Sequence, residues 1–431
     1  LHHPRADEIE VAAMALFTDS LLGLDAAGEV ISPVYTYGDT RSAYDVQLLN
    51  SQIDLTATHQ RTGCINHTTY LPGRLHWLQR TEPQMFQAVR QWLDIATYLY
   101  TLWFGDAPCS YSVASWTGLL DRAALAWDTV WFDLLGLDSA CFPRLSDYDD
   151  MQVGLLPAYA ARWPALKEVP FCLAVADGAA ANVGSGGVDA SHMVLTVGTT
   201  AALRIILDAE MPPVPPGLWG YRLDAAHHVI GGATFEGGNI FHWARSVLLL
   251  PEDDVALSTE LARRPPDSHG LVFLPLLAGE RSPGWAGDAT GAIAGLRLST
   301  SALDILQAAY EGVALRLALT ADQLAPLTTG ATHVMAGGGA LAASPIWVQT
   351  IANALNRTIH LVAETEITAR GTAILALRAL GRCSLADHPP AIEQVVQPIP
   401  EHVAILRGAL ERQIDLYRKL VNSGYSLTPH S

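Results

Sequence analysis

The feature that most constrains this chain is a series of strand-length apolar runs, each followed by a Gly-rich turn or a helix-period segment. Residues 332–336 read as a strand, Gly337-Gly-Gly339 as a tight turn, 345–355 as a helix, 358–362 as a strand and 369–380 as a helix. Strands that alternate with helices predict an α/β chain with mainly parallel sheets. Upstream, 171–176 and 193–197 read as strands, with Pro170 just ahead of the first, where a missing N–H costs the ladder least. Strand-like stretches at 221–230 and 271–277 follow, and the spacing in 303–324 predicts a long helix. The first quarter opens with an apolar run at 11–17, read as a buried strand. It continues through 21–24, turns at 25–29 and returns at 30–37. Residues 41–136 read as mostly helical, with periodic apolar positions in 85–102 and 119–135. There is no fixed-period repeat and no low-complexity linker. A chain of 431 residues is too long for one ordinary domain. The break falls best between Gly186 and His192, giving units of 1–189 and 190–431.

Charge and cysteine content narrow the function. The formal net charge is −17, which argues against a nucleic-acid partner, because phosphate backbones need clustered Lys and Arg. It leaves room for one phosphorylated small molecule. The cysteines (64, 109, 141, 172 and 383) are scattered and form no Cys-x-x-Cys, so a zinc site is not expected and a reduced, cytoplasmic setting is. The most apolar stretch, 92–104, contains Asp94 and is too short to span a bilayer, so no membrane partner is expected. No signal peptide is visible.

Two neighbouring segments carry chemistry. Val175-Ala-Asp-Gly-Ala-Ala-Ala-Asn-Val-Gly-Ser-Gly186 sets one carboxylate, Asp177, in what reads as a Gly-rich loop. The strand at 193–197 then runs into Gly198-Thr-Thr200, which offers backbone N–H groups and two hydroxyls to a phosphate. Together they read as a general base facing a phosphoryl donor. On the residues alone, an aspartate ordering its own turn is an equal reading of Asp177, and plain turn chemistry a strong one for the glycines.

Further segments, taken with these, resemble the FGGY family of carbohydrate kinases. Gly291-Ala-Ile-Ala-Gly-Leu296, seven further residues and Asp304-Ile-Leu-Gln-Ala-Ala-Tyr-Glu311 fit the family's C-terminal signature at every defined position. Leu277-Ala-Gly-Glu-Arg-Ser-Pro283 with Trp285, Tyr37-Gly-Asp-Thr-Arg41, Ser112-Val-Ala-Ser-Trp-Thr-Gly118 with Trp127-Asp128, and His333-Val-Met-Ala-Gly-Gly-Gly339 with Trp347 and Gln349 have counterparts in family order. Within the family the chain is most similar to gluconate kinases, through Thr62-Gly63, His67, Leu75, Trp77, Ala202-Leu-Arg204 with Asp208, and Val229-Ile-Gly-Gly232. Xylulose kinases are a more distant match.

The resemblance implies two actin-like ATPase (ribonuclease H-like) α/β domains flanking a catalytic cleft. It also implies ATP and Mg2+ as cofactors and a small sugar or sugar acid, of gluconate-like kind, as substrate. A homodimer is the candidate assembly. By the same resemblance Asp177 is the catalytic base and approaches the metal through water, with Gly178 and Ala179 leaving room for substrate. Gly198, Thr199 and Thr200 hold the donor phosphates. Gly237, Gly238, Gly337, Gly338, Gly339, Ala343 and Ser344 take the nucleotide. His242 is read either as a nucleotide contact or as a packed histidine beside Trp243. Thr18, Asp19 and His67 join Asp177 and Gly178 on the sugar side. Asp19 stands where relatives often carry His, and a carboxylate there repels a sugar acid unless a cation compensates. Arg74 replaces a family Lys, keeping the charge and changing the geometry. Asp39–Arg41 is read as an ion pair or a substrate contact, and Glu280–Arg281 as a structural pair near the cleft.

One family element has no match. The family normally begins with a strand carrying Asp-x-Gly-Thr, and no Asp-x-Gly-Ser/Thr occurs in this sequence. The chain also opens without Met, inside what reads as the first domain. The expectation is therefore a first domain lacking its N-terminal strands, either because the sequence is a fragment or because it is a short relative that has lost activity. An incomplete sheet would leave an exposed edge.

Overall fold

The computed structural model describes residues 5–329 and 333–421. Thr332, expected to open a strand, lies outside them. The C-terminal half is built on a seven-stranded sheet. Its spatial order is Trp219–Arg222, His227–Thr234, Ala201–Asp208, His192–Val197, His333–Gly337, Ile359–Val362, Ile392–Val396. Only His333–Gly337 pairs in parallel, with His192–Val197 on one side and Ile359–Val362 on the other. The remaining pairings are antiparallel, which corrects the expectation of mainly parallel sheets. The short Gly198–Thr200 and 223–226 connections explain this, since a parallel crossover needs a dozen or more residues. One sheet face carries the main core, where Leu195, Leu203, Ile205 and Ile230 meet the Ala302–Leu324, Pro345–Leu355 and Pro400–Leu420 helices. The first of these is opened by a capping box, Ser301 with Asp304.

The N-terminal half is helical with paired two- and three-residue strands. Of the run at 11–17 only Ala15–Leu16 is strand, parallel to Val175–Ala176, with a further bridge from Ala12 to Phe171. Its side chains are half-buried and Phe17 is exposed, so the expected buried strand is a partly open one. The turn at 25–29 forms as expected, with Asp25 Oδ1 accepting the Ala27 and Glu29 N–H groups at 2.8 and 3.0 Å. The expected periodic segment 85–102 is divided. Gln91–Leu93 is a strand paired with Leu22–Leu24, and Asp94 then caps the Ile95–Phe104 helix by accepting Thr97 N–H at 3.0 Å. The segment 119–135 is likewise a short hairpin followed by Thr129–Leu135, capped by Asp128.

The segment read as a Gly-rich loop around Asp177 is a helix, Asp177–Gly184. Its small residues serve packing. It crosses Ile367–Ala379 so closely that a Cβ on Gly184 would lie 1.8 Å from Ile367 O, and one on Gly371 1.8 Å from Ala180 O. Here a helix of the first half meets one of the second, backbone against backbone. Among the described residues no helix is long and apolar enough to cross a membrane.

Candidate active site

Two regions hold the expected site residues. The first is a cleft of about 420 Å³ at the end of the main sheet. The hairpin turn supplies Gly198 and Thr199, the Asn239–Val247 helix and the residue before it supply Gly238 and His242, and the 339–347 segment supplies Gly339, Ala343 and Ser344. His242 is exposed, whereas its neighbour Trp243 packs on Phe273, so the packed-histidine reading does not hold. The cleft is also lined by Trp347, read from sequence with the adenine-site motif, and by Phe241, Asp254, Leu257 and Tyr310, which the sequence reading did not assign to it. Tyr310 and Trp347 stack at 5.0 Å, and Trp347 Nε1 donates to Tyr310 O at 3.0 Å. Both lie inside motifs already recognised, and that was the available signal.

Thr200, Gly237, Gly337 and Gly338 do not line this cleft. Two of these glycines answer to backbone packing instead. A Cβ on Gly237 would sit 2.5 Å from Thr200 C. Gly338 has φ +117°, and a Cβ there would lie 2.2 Å from Val197 O. Gly339 and Gly198 differ, since a Cβ on either meets nothing within 4 Å. The Gly198 N–H is used inside the turn, donating to Thr200 O at 3.0 Å. That leaves the side chains of Thr199 and Thr200, both exposed, as the turn's free hydroxyl donors.

The second region lies where the two halves face each other. Asp177 begins its helix with an exposed carboxyl group whose Oδ1 accepts the Gly178 N–H at 2.6 Å. The surrounding protein still desolvates it enough to raise its pKa, against the pull of Arg204. Gly178 is not spare room, because its missing Cβ would lie 3.1 Å from Trp116 and 3.3 Å from Arg204 Nη2. Ala179 is fully buried. Arg204 extends from the sheet face turned toward the first half. Its Nη1 donates to Thr196 Oγ1 at 3.0 Å, and the guanidinium lies over Trp219.

Thr18 and Asp19 are buried in a turn that puts Asp19 at φ +61°. Arg74 fixes this turn. Its Nη1 donates to Asp19 O at 2.8 Å, and its Nη2 reaches Thr36 O at 2.8 Å and Thr68 O at 3.2 Å. A Lys ammonium has no such planar fork, so the change from the family residue has a structural purpose here. Burial pushes the Asp19 pKa up to about 7, opposed by Arg74, Arg281 and the Thr18 hydroxyl, and Asp177 adds to the rise. His67 lines a separate cleft of about 340 Å³, edge-on to Trp285. Its Nδ1 accepts Thr69 N–H at 3.2 Å. Burial, with Arg281 nearby, lowers its pKa to about 4, so the ring is neutral at pH 7.

Two expected pairs resolve differently. Asp39 and Arg41 form a surface ion pair at 2.6 Å, with Arg41 stacked over Trp77. Glu280 and Arg281 do not pair. Glu280 turns inward to Arg316 and Tyr417, while Arg281 lies over Phe235.

Comparison with known proteins agrees with this architecture. The family model for the N-terminal domain of the FGGY family of carbohydrate kinases matches residues 2–184, and that for its C-terminal domain matches residues 193–380. The chain belongs to this family. It is 26% identical over 403 residues to a gluconokinase of Bacillus subtilis, covering 91% of this chain and 78% of that one. Among solved structures, a ligand-bound xylulose kinase from Lactobacillus acidophilus superposes with a TM-score of 0.89 at 25% identity, covering 95% of this chain and 84% of that one. A gluconate kinase from the same organism superposes with a TM-score of 0.88 at 26% identity, covering 94% and 83%. The two-domain α/β fold of the family is the fold of this chain. Gluconokinases match its sequence more strongly than xylulose and glycerol kinases do, while the xylulose and gluconate kinase structures superpose on it almost equally.

Proposed function

We propose that this member of the family transfers a phosphoryl group from ATP to a hydroxyl of a gluconate-like sugar acid, with Asp177 as the general base. The observation that carries the reading is the cleft at the Gly198–Thr199 turn, which gathers residues from five separated segments into one concave, aromatic-walled space. Such a space suits an adenine base, and its turn end suits phosphates. Phosphoryl transfer depends on positioning and charge stabilisation more than on covalent chemistry. Asp177 holds an exposed carboxylate at a helix start, and desolvation raises its pKa from the ordinary carboxylate value, which makes it a stronger proton acceptor. Thr199 lines the turn end of the cleft and Thr200 is exposed beside it, which supports the two hydroxyls as donors to the donor phosphate. Mg2+ prefers oxygen donors and keeps several waters. The exposed Asp177 carboxylate fits such an ion through water, and when bound the ion neutralises charge on the transferring group. The five cysteines are all unpaired, which supports a reducing, cytoplasmic setting. The test is incubation with ATP, Mg2+ and a panel of aldonic acids, ketoses and polyols, read as ADP and sugar-phosphate formation. Gluconate or a close relative is expected to turn over fastest. A panel in which no member is phosphorylated would overturn the reading.

The glycines give a second test. Gly339→Val is expected to fold normally and to weaken nucleotide binding roughly tenfold, because its Cβ meets no protein atom within 4 Å and the branched side chain starts at the cleft wall. Gly338→Ala is expected to lower stability, because its Cβ meets Val197 O in a left-handed backbone. Calorimetric titration with a non-hydrolysable ATP analogue, paired with thermal melting, separates the two. Unchanged affinity in Gly339→Val would move the nucleotide elsewhere.

Asp19 makes sugar-acid binding depend on pH. Its carboxyl group is neutral below about pH 7 and anionic above. The KM for a sugar acid is therefore expected to rise severalfold between pH 6.5 and 8.5, with a limit of about tenfold per pH unit. The KM for a neutral sugar stays flat, and Asp19→Asn removes the slope. An identical slope in Asp19→Asn would assign the effect to another group. The same raised pKa gives a stability contribution present below about pH 4 and lost as the pH rises through about 7.

A further inference from the structure

We propose that His333 and His360, with His192 beside them, bind a borderline divalent transition-metal ion such as Zn2+ at the end of the main sheet remote from the nucleotide cleft. The sheet brings the three together. His192–Val197, His333–Gly337 and Ile359–Val362 are neighbouring parallel strands. His333 stands opposite His192, and His360 stands opposite Met335, two residues on from His333. Side chains two apart share a face, so all three rings rise from one face, beside the buried Val194, Met335 and Val362. None of the three histidines is buried, and His333 Nδ1 faces His360 Nε2 at 3.1 Å.

Two nitrogens that close can both reach one Zn2+ at the usual length of about 2.0–2.1 Å. At that length, two rings on one tetrahedral ion have their centres about 5 Å apart. The His333 and His360 ring centres are 5.0 Å apart, and those of His192 and His333 are 6.1 Å apart. The pair is at chelating distance as it stands, and His192 joins it by a side-chain movement of about 1 Å. His192 Nδ1 lies 2.9 Å from both Asp189 Oδ1 and Ser191 Oγ. A carboxylate there holds the proton on Nδ1 and leaves the lone pair on Nε2, the usual support of a metal-bound histidine. His333 and His360 share one proton, which the incoming ion displaces to solvent. Imidazole ligands select Zn2+, Ni2+ or Cu2+ over Mg2+, which takes oxygen. The strand from His333 to Gly337 runs about 13 Å, which separates this site from the cleft. Asp267, His269 and Glu311 also crowd together, but there His269 Nδ1 accepts the Leu271 N–H at 2.9 Å. The proton then sits on Nε2, which donates to Glu311 at 3.0 Å, so no imidazole lone pair is offered.

The test uses the full chain, stripped with a chelator and titrated with zinc chloride by calorimetry, with magnesium chloride as the control. It needs neither ATP nor a sugar, so its outcome is independent of the kinase reading. The parent is expected to bind one Zn2+ in the micromolar range and to give no comparable heat with Mg2+. His333→Gln and His360→Gln are each expected to weaken Zn2+ binding at least about tenfold, and His269→Gln to leave it unchanged. Zn2+ should also raise the melting temperature of the parent by a few degrees, and that of the two variants much less. With Cu2+ as the probe, electron paramagnetic resonance should show splitting from at least two nitrogens in the parent and from fewer in either variant. Millimolar binding, or equal binding in the parent and both variants, would mean adventitious surface contacts and overturn the proposal. So would a Cu2+ spectrum without nitrogen splitting, or binding lost only in His269→Gln, which would move the ion to the other cluster. Circular dichroism establishes folding of each variant. If His333→Gln disturbs its strand, His360→Gln and the Cu2+ spectrum of the parent decide.

Discussion

Asp177→Asn is expected to lower kcat by roughly 10²–10⁴, the range for losing a positioned general base, while nucleotide affinity changes little. The amide keeps the volume and can still accept the Gly178 N–H, so the start of the helix should survive. What disappears is the proposed proton acceptor, together with the negative charge that faces Arg204. The loss should fall on kcat and kcat/KM alike, as for an interaction made mainly in the transition state. Steady-state kinetics on the best substrate from the panel is the measurement, with circular dichroism as the folding control. Turnover within about threefold of the parent would remove Asp177 from the mechanism.

A comparably large effect, on stability, is expected at Arg316. Glu280 and Arg316 form an ion pair with both side chains only 2% exposed, closed by the Tyr417 hydroxyl from the last helix. Burial depresses the Arg316 pKa to about 10, so the pair is held against a substantial desolvation penalty. Arg316→Met leaves the Glu280 carboxylate buried with no cation. The expected cost is about 3–5 kcal/mol. Replacing both members by apolar residues should cost far less, because no charge is then stranded. Urea denaturation of the two variants is the check, read as the midpoint of the transition reported by C-terminal tryptophans such as Trp347. A double variant no more stable than Arg316→Met would mean that packing, and not the pair, matters at this place.

Much of the C-terminal half was legible because its signals are local. The helix at Ala302–Leu324 follows from spacing and a capping box, and Pro345–Leu355 from a proline in its first turn. The first half was less legible because its breaks are made by distant partners. Nothing near Gln91–Leu93 marks it as a strand, since its partner Leu22–Leu24 lies far back in the chain. The Asp177 segment was misread for a related reason. Gly178 and Gly184 suggested a loop, yet three consecutive alanines favour helix, and the glycines answer to Trp116 within the first half and to Ile367 across the interface. At the site, residue types were informative and roles less so. A glycine that opens a cleft and a glycine that admits a neighbouring carbonyl look alike in sequence, as Gly339 and Gly338 demonstrate. Adjacent opposite charges at 280 and 281 suggested a pair, but each found a partner elsewhere. Glu280 went to Arg316 and Tyr417 in the core, and Arg281 to the face of Phe235.

The crossing of Gly184 with Gly371 is a point of backbone contact and so a fulcrum for any tilt between the two helices. Buried side chains around it, Val183 and Ile374 among them, would have to shift as the helices tilt. The Asp177 carboxylate sits at the far end of the same rigid rod, about 10 Å from the pivot at the rise of an α-helix. A tilt of roughly 10° at the crossing would swing that end by about 2 Å, enough to separate an aligned from a misaligned reacting group. One added methyl at the fulcrum would act as a shim, detuning the distant carboxylate while touching none of the chemistry.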